Sequence, residues 1–339
     1  MNRLRLGLSL LLFPLTIWYG VAVALRNLLY DKGLLRSYTS SLETIAVGNL
    51  IMGGSGKTPH TEWLLRQLSA KGRVALLSRG YGRNTRGYVE ATDASSAAEI
   101  GDEPLMIHRK MPHVVTTVCE ERREGLQRLE AMNEPPMAVV LDDAYQHRQV
   151  RADKYILLTE YGRLYCDDHV LPFGNLREWR CGSQRADMVI VTKCPPTLSG
   201  EEQETLRRRL KISAKQKLFF SYISYDRPVK LFGAGDAPQL EDLDEVLLVT
   251  GIAHPEPLQQ YLSGQVQVTS MRYGDHHAFS MHDIEAIKER YRRMAGGRKA
   301  VVTTEKDASR LLEWASAMGD VPVLVIGIAV RFIGAEPMV

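Results

Sequence analysis

Residues 43–72 read ETIAVGNLIMGGSGKTPHTEWLLRQLSAKG, and the rest of the chain is best read outward from them. Glu43–Leu50 carries β-branched and apolar residues in a short run, which predicts a buried strand. Gly53-Gly54-Ser55-Gly56-Lys57-Thr58 follows, and His60–Gly72 has the apolar spacing of a helix. A small-residue loop between a strand and a helix is the setting a phosphate loop requires. Backbone N–H groups there approach phosphate oxygens closely, and the helix N-terminus favours negative charge. Lys57 is placed to reach β- and γ-phosphates and the Thr58 hydroxyl to ligate magnesium. The general pattern has glycine where this chain has Ile51, but loops built on Gly-Gly-x-Gly-Lys-Ser/Thr tolerate that.

Further strands are expected at Val74–Gly80, Pro112–Val118, Met137–Asp143, Lys154–Glu160 and Asp187–Lys193, with helical stretches between them. Continuous apolar runs separated by helices indicate a parallel sheet covered on both faces. A second strand–helix alternation begins at Glu245–Gly251, passes through Lys299–Asp307 and ends on the apolar run Val321–Phe332. The fold expected is α/β: a phosphate-loop NTPase-like α/β/α sandwich, a smaller α/β domain and an N-terminal apolar helix. The expected domains are 1–36, 37–225 and 226–339.

Composition narrows the function. The 339 residues are 45% hydrophobic and 24% charged, as in ordinary globular chains, with a net charge of +3. That balance does not suggest nucleic acid but suits anionic substrates or an anionic membrane face. Cys119, Cys166, Cys181 and Cys194 have no C-x-x-C spacing, so neither a zinc site nor a disulfide framework is indicated. Leu6–Leu25 contains no charge and is followed by Arg26, Lys32 and Arg36. Three readings compete: a cleaved signal peptide, a buried helix, or a membrane anchor that spans or lies in the interface. A run of about 20 uncharged residues can span a bilayer, Trp18 and Tyr19 suit the headgroup level, and Pro14 would kink a spanning helix. Export would remove the phosphate loop from ATP, so membrane contact is the expectation.

A nucleotide site of this kind needs a carboxylate at the end of a neighbouring strand. Asp142 and Asp143 follow Ala138–Leu141 and fit that need, holding magnesium directly or through water. To this point the chain reads as an ATPase or GTPase of open purpose.

Its remaining motifs carry a resemblance. VGNLIMGGSGKTP (47–59), LLSRGYGR (76–83), GDEP (101–104), LDDAYQHR (141–148), LPFGNLRE (171–178), RADMVIVTK (185–193), VTGIAHP (249–255), YGDHHAFS (273–280) and TTEKD (303–307) resemble, in order and spacing, the tetraacyldisaccharide 4'-kinase family of lipid A synthesis. Ala144 and Trp179 depart from the family's usual Gly and Pro. The resemblance implies transfer of the ATP γ-phosphate to the 4'-hydroxyl of a tetraacyl glucosamine disaccharide 1-phosphate. It implies ATP and Mg²⁺ as cofactors, and work at the inner membrane with the catalytic domains facing the cytoplasm. No nucleic acid and no obligate protein partner is expected. Asp102 is then the candidate proton acceptor, and His276 its partner, with His277 adjacent. Gly53, Gly54, Ser55, Gly56, Lys57 and Thr58 would bind nucleotide, and Thr58, Glu103, Asp142 and Asp143 would handle magnesium. Arg79, Tyr81, Arg83 and His147 would meet phosphate or the substrate, with Gln146 orienting the aspartates. Arg122, Arg123, Arg177 and Arg180 read as weaker phosphate candidates or as surface charges. The rival is a membrane-associated ATPase switch of the partitioning or division-site type, whose usual extra lysine before Gly-Gly is here Met52.

Overall fold

The computed structural model describes residues 3–233, 237–275 and 277–338, and for 3–13 the backbone alone. The chain divides into two compact units, one of residues 1–223 with 330–339 and one of 224–329. The last ten residues therefore belong to the first unit, although they follow the second in sequence.

The first unit opens on helix α1 (Arg3–Asp31). Its strands are β1 (Glu43–Asn49), β2 (Val74–Ser78), β3 (Val89–Glu90), β4 (Val115–Val118), β5 (Ala138–Leu141), β6 (Lys154–Glu160), β7 (Met188–Thr192) and β8 (Lys217–Tyr225). The second unit supplies β9 (Val229–Phe232), β10 (Glu245–Thr250), β11 (Gln267–Arg272), β12 (Lys299–Thr304) and β13 (Val323–Ile326), and the chain returns through β14 (Ile328–Phe332). The large sheet has the order β14-β8-β7-β6-β1-β5-β2-β4-β3. From β8 through β4 the neighbours are parallel, and β3 runs antiparallel to β4.

Alternation along the strands separates two cores. Ile45, Val47, Leu76 and Val140 meet Trp63, Leu64 and Leu68 of α2 (Lys57–Ser69) on one face. Ala46, Ala75, Leu77 and Val139 meet Leu126 and Leu129 on the other. Leu126 and Leu129 belong to α5 (Arg122–Glu130), and Ile107 of α4 (Asp102–Lys110), which follows the short α3 (Ala97–Ile100), joins the first core. Farther along, Leu206 and Leu210 of α6 (Gly200–Leu210) cover Leu157, Val189 and Val191. The chain's last strand and tail brace α2: Phe332 lies 4.9 Å from Trp63, whose indole N–H donates to Glu336 at 2.6 Å.

The second unit is a five-stranded sheet, β11-β10-β12-β13-β9, parallel except for β9. The run Val321–Phe332, expected as one closing segment, is two strands. It breaks at Gly327, with β13 in the small sheet and β14 in the large one.

Among the described residues no helix is long and apolar enough to cross a membrane. α1 nevertheless shows solvent an apolar face of Leu15, Ile17, Trp18, Val21, Leu25 and Leu28, with Trp18 75% exposed. Its other side is held by specific bonds. The Tyr19 hydroxyl donates to the Arg177 carbonyl at 2.9 Å, Asn27 to Glu178 at 2.8 Å, and the Trp179 indole N–H to the Gly20 carbonyl at 2.8 Å. Gly20 is needed there, since a Cβ would lie 2.7 Å from the Trp179 ring. Trp179, one of the two departures from the family pattern, is thus a docking residue for α1.

Candidate active site

The site forms at the carboxyl ends of β1, β5 and β2, where parallel strands release their loops on one edge. After β1 the chain passes Ile51 and Met52 into Gly53 (φ 117°) and Gly56 (φ 81°). These are left-handed conformations that only glycine adopts readily, so the loop's glycines are dictated by its shape. Asn49, the last residue of β1, donates to the Ser55 hydroxyl at 2.8 Å, and its side-chain oxygen accepts from Lys57 Nζ at 3.5 Å.

Lys57 opens α2 and lies 3.6 Å from Asp143. Asp143 has φ 46°, uncommon for a residue with a side chain and a mark of strain at functional sites. Arg177 donates to both of its oxygens at 3.0 and 3.2 Å. Asp142 is buried and accepts from Thr61 at 3.1 Å and Ser78 at 3.3 Å. Burial pushes its carboxyl up to about 6, and the charges of Glu103 and Asp143 push the same way, against Lys57 and Arg122. The aspartates, Glu103 and Lys57 are therefore one electrostatic cluster.

Glu103 and Asp102 form the first turn of α4, after Gly101 at φ 90°. A Cβ on Gly101 would sit 3.0 Å from the Tyr81 carbonyl, so the Gly-Asp-Glu-Pro turn lies directly against the Ser-Arg-Gly-Tyr-Gly-Arg loop. In that loop Tyr81 is 85% exposed between two left-handed glycines, and Arg79 is exposed. Arg83 differs from the expectation. Its side chain is 2% exposed, paired with Glu120 at 2.8 Å and bonded to the Gly87 carbonyl, so it braces the loop from within.

His147 follows the aspartates. Burial pushes its imidazole down to about 4, and Arg122, Arg26 and Arg79 add to the shift, so the ring is neutral near pH 7. Its Nε2 is buried and has no hydrogen-bond partner among the described residues. His276 lies outside the described residues. Its neighbour His277 bonds Asp283 at 3.1 Å and stacks on Tyr273 within the second unit.

Two arginines that the sequence offers only as weak candidates or surface charges are placed otherwise. Arg177 sits on Asp143. Arg122 is buried and donates to the carbonyls of Cys119 (2.5 Å) and Asp142 (3.0 Å), fixing the Asp-Asp turn. Asn49 and Glu178 are not marked as site residues by the sequence. Both lie within motifs quoted above, but only the fold shows that Glu178 is buried and bonded to Arg185 at 2.6 Å and to Gln146 at 3.1 Å.

The grouping is that of a nucleotide site: a glycine-rich loop at a helix start, a lysine, and two aspartates just past the end of the adjacent strand. Comparison with known proteins agrees. The family model described as tetraacyldisaccharide-1-P 4'-kinase matches residues 8–338. A tetraacyldisaccharide 4'-kinase from Flavobacterium johnsoniae is 46% identical over 313 residues, covering 92% of this chain and 88% of that protein. Its counterpart in Bacteroides thetaiotaomicron is 44% identical, covering 89% and 82%. The crystal structure of LpxK from Aquifex aeolicus, in an apo form in complex with ATP, superposes with a TM-score of 0.74 at 27% identity, covering 96% of this chain and 95% of that one. The match runs nearly end to end and includes the loop and the aspartate pair, so the chain belongs to the tetraacyldisaccharide-1-P 4'-kinase family.

Proposed function

We propose that this chain is an ATP-dependent kinase that phosphorylates the 4'-hydroxyl of a tetraacyl disaccharide 1-phosphate in lipid A synthesis. The observation that carries the reading is the convergence of Lys57, Asp143 and the buried Asp142 beside the glycine loop, in a chain of this family. The large unit is then a phosphate-loop NTPase fold, with Gly53–Thr58 as the ATP site. The acceptor hydroxyl oxygen attacks the γ-phosphorus, the bond to the β-phosphate oxygen breaks, and the hydroxyl proton passes to a base. Asp102, in the first turn of α4, is the proposed base, and His276 is proposed to tune it. Lys57 offsets charge on the phosphates while the loop N–H groups hold them. Arg79 and Tyr81, exposed on their loop, are proposed to meet the acceptor, and His147, held neutral, can accept or donate one hydrogen bond.

Magnesium fits this donor set. Burial pushes the Asp142 carboxyl up, and the charges of Glu103 and Asp143 add a repulsion that a divalent cation relieves. No group of three or more His, Cys, Asp or Glu side chains among the described residues forms a complete metal cage. Magnesium does not need one, because it shares its shell with phosphates and water. Thr58, Asp142, Asp143 and Glu103 would hold it, and it supplies charge neutralisation along the triphosphate. The exposed apolar face of α1 is proposed to rest in the inner membrane, where the acceptor's acyl chains lie, with the catalytic units on the cytoplasmic side.

The test is mass analysis of lipid after incubation with Mg-ATP and the acceptor. The product gains one phosphate. Lys57→Ala abolishes it, and Asp102→Ala lowers the rate by about 10²–10⁴ while leaving ATP binding intact. ATP consumption with no phosphorylated lipid would reject the reading in favour of an ATPase switch.

A further inference from the structure

The phosphate loop is useful only if its peptide N–H groups face the nucleotide, and a trans peptide points its N–H and C=O in opposite directions. What holds the loop's carbonyls therefore decides where its donors point. The Ser55 carbonyl accepts from the buried Thr192 hydroxyl at 2.9 Å. The Gly56 carbonyl accepts from the ring of His60, on the first turn of α2, at 2.7 Å, and more weakly from the His60 backbone N–H at 3.3 Å. Gly56, at φ 81°, has no side chain to restrict its backbone, so the contacts of its peptide decide which way that peptide faces.

We infer that His60 is a positioning residue for ATP binding: it fixes the Gly56 peptide, and through it the direction of the Lys57 N–H. This rests on the reading of Gly53–Thr58 as the ATP site. His60 is 1% exposed and both ring nitrogens are engaged. A carbonyl can only accept, so Nδ1 carries the proton, and Nε2 accepts from the Ser221 hydroxyl at 2.8 Å. Burial pushes the imidazole down to about 4, although the Gly56 bond opposes the shift, so the ring stays neutral and keeps this tautomer. Ser221 is itself fully buried on β8, and its carbonyl accepts from Cys194 N at 2.9 Å. The result is a latch from β8 through an imidazole to the loop. Neither the phosphate-loop pattern nor the proposed chemistry requires a histidine at this position.

The latch predicts a split between substrates. Mg-ATP binding by calorimetry and steady-state kinetics on the full chain are compared for native protein, His60→Leu, His60→Asn and Ser221→Ala. His60→Leu fills the space but removes the ring donor, leaving the Gly56 carbonyl only the longer bond from the backbone N–H at position 60, and ATP binding weakens about tenfold, the order of one lost hydrogen bond. The KM for the lipid acceptor stays unchanged. His60→Asn, whose amide N–H reaches the same carbonyl, recovers most of the affinity. Ser221→Ala releases the tautomer and weakens ATP severalfold. The inference is overturned by native ATP affinity in His60→Leu, by Asn performing no better than Leu, or by equal losses in both KM values. Should His60→Leu fail to fold by circular dichroism, native ATP affinity in Ser221→Ala overturns it. If native protein binds no ATP, or Lys57→Ala binds it normally, the assignment of the loop itself fails and this inference falls with it.

Discussion

Asp142 shows how a single residue carries opposed demands. Its carboxyl is raised to about 6 by burial and by Glu103 and Asp143. The folded chain thus binds this proton more tightly than the unfolded one. The resulting stability is whole below about pH 4 and is lost as the pH rises through about 6. A shift of that size corresponds to roughly 3 kcal/mol set against the fold at neutral pH. Asp142→Asn keeps the shape and can still pair with Thr61 and Ser78. It is expected to raise the thermal midpoint at pH 8 by a few degrees, change it little at pH 4, and abolish phosphoryl transfer. Calorimetry at the two pH values checks this, and a lowered midpoint at pH 8 would contradict the account. The aspartate pair was legible in the sequence as strand-end carboxylates. The strain on Asp143 and the charge crowding on Asp142 were not, because both depend on residues brought in from α4, α2 and Arg177.

At the scale of elements, α1 has two separable roles. Its apolar face is open to solvent, while its other side bonds the segment that carries Arg177, Glu178 and Trp179. That segment reaches the site directly. Arg177 N donates to the Leu50 carbonyl at 2.7 Å, and Met52 N to the Asn175 carbonyl at 2.8 Å, just before the loop. Glu178 ties Asn27, Arg185 and Gln146 together, and Gln146 donates onward to the Asn49 carbonyl at 2.9 Å. Replacing Trp18 and Leu25 by Ser is expected to reduce membrane binding and activity on acceptor in bilayers, with activity on detergent-dispersed acceptor retained. Glu178→Leu leaves Arg185 without its partner, costs about 3 kcal/mol, and lowers activity on both forms of acceptor. Sedimentation with vesicles and assays in both formats separate the two. If Glu178→Leu is silent on dispersed acceptor, the segment does not support the site. The sequence marks Leu6–Leu25 as apolar and suited to membrane contact, but not which of its residues dock on the rest of the chain. Hydropathy is a property of the stretch alone, whereas docking is set by Gly20 opposite Trp179.

For the whole molecule, the division into units has a consequence for folding. The second unit is inserted between β8 and β14, and its ends meet: Asp226 N donates to the Gly327 carbonyl at 2.9 Å and Ser224 to the Ala329 carbonyl at 3.3 Å. Its strands enclose their own apolar clusters around Leu248, Val302 and Leu324 and around Val249, Ile287 and Val301. Residues 224–329 expressed alone are expected to melt cooperatively. Residues 1–223 alone lack Phe332 and Glu336 against Trp63 and should be markedly less stable than the same chain with 330–339 joined by a short linker. Thermal melts of the three proteins decide it. A stable 1–223 would mean that the returning tail contributes little.

The sequence by itself determined the alternation of strand and helix, the phosphate loop and the aspartate pair, because these rest on local periodicity and on residue types that only a few backbone settings permit. Val321–Phe332 shows where that stops. Its residues are apolar but for Arg331 near its end, and nothing local says that the run breaks at Gly327 to serve two sheets. The same holds for Arg83 turned inward, Arg122 buried under the aspartates, Arg177 on Asp143 and His60 behind the loop. A charged or polar side chain declares its chemistry in sequence, but its partner is set by contacts between residues tens to hundreds of positions apart, and only the tertiary structure supplies those.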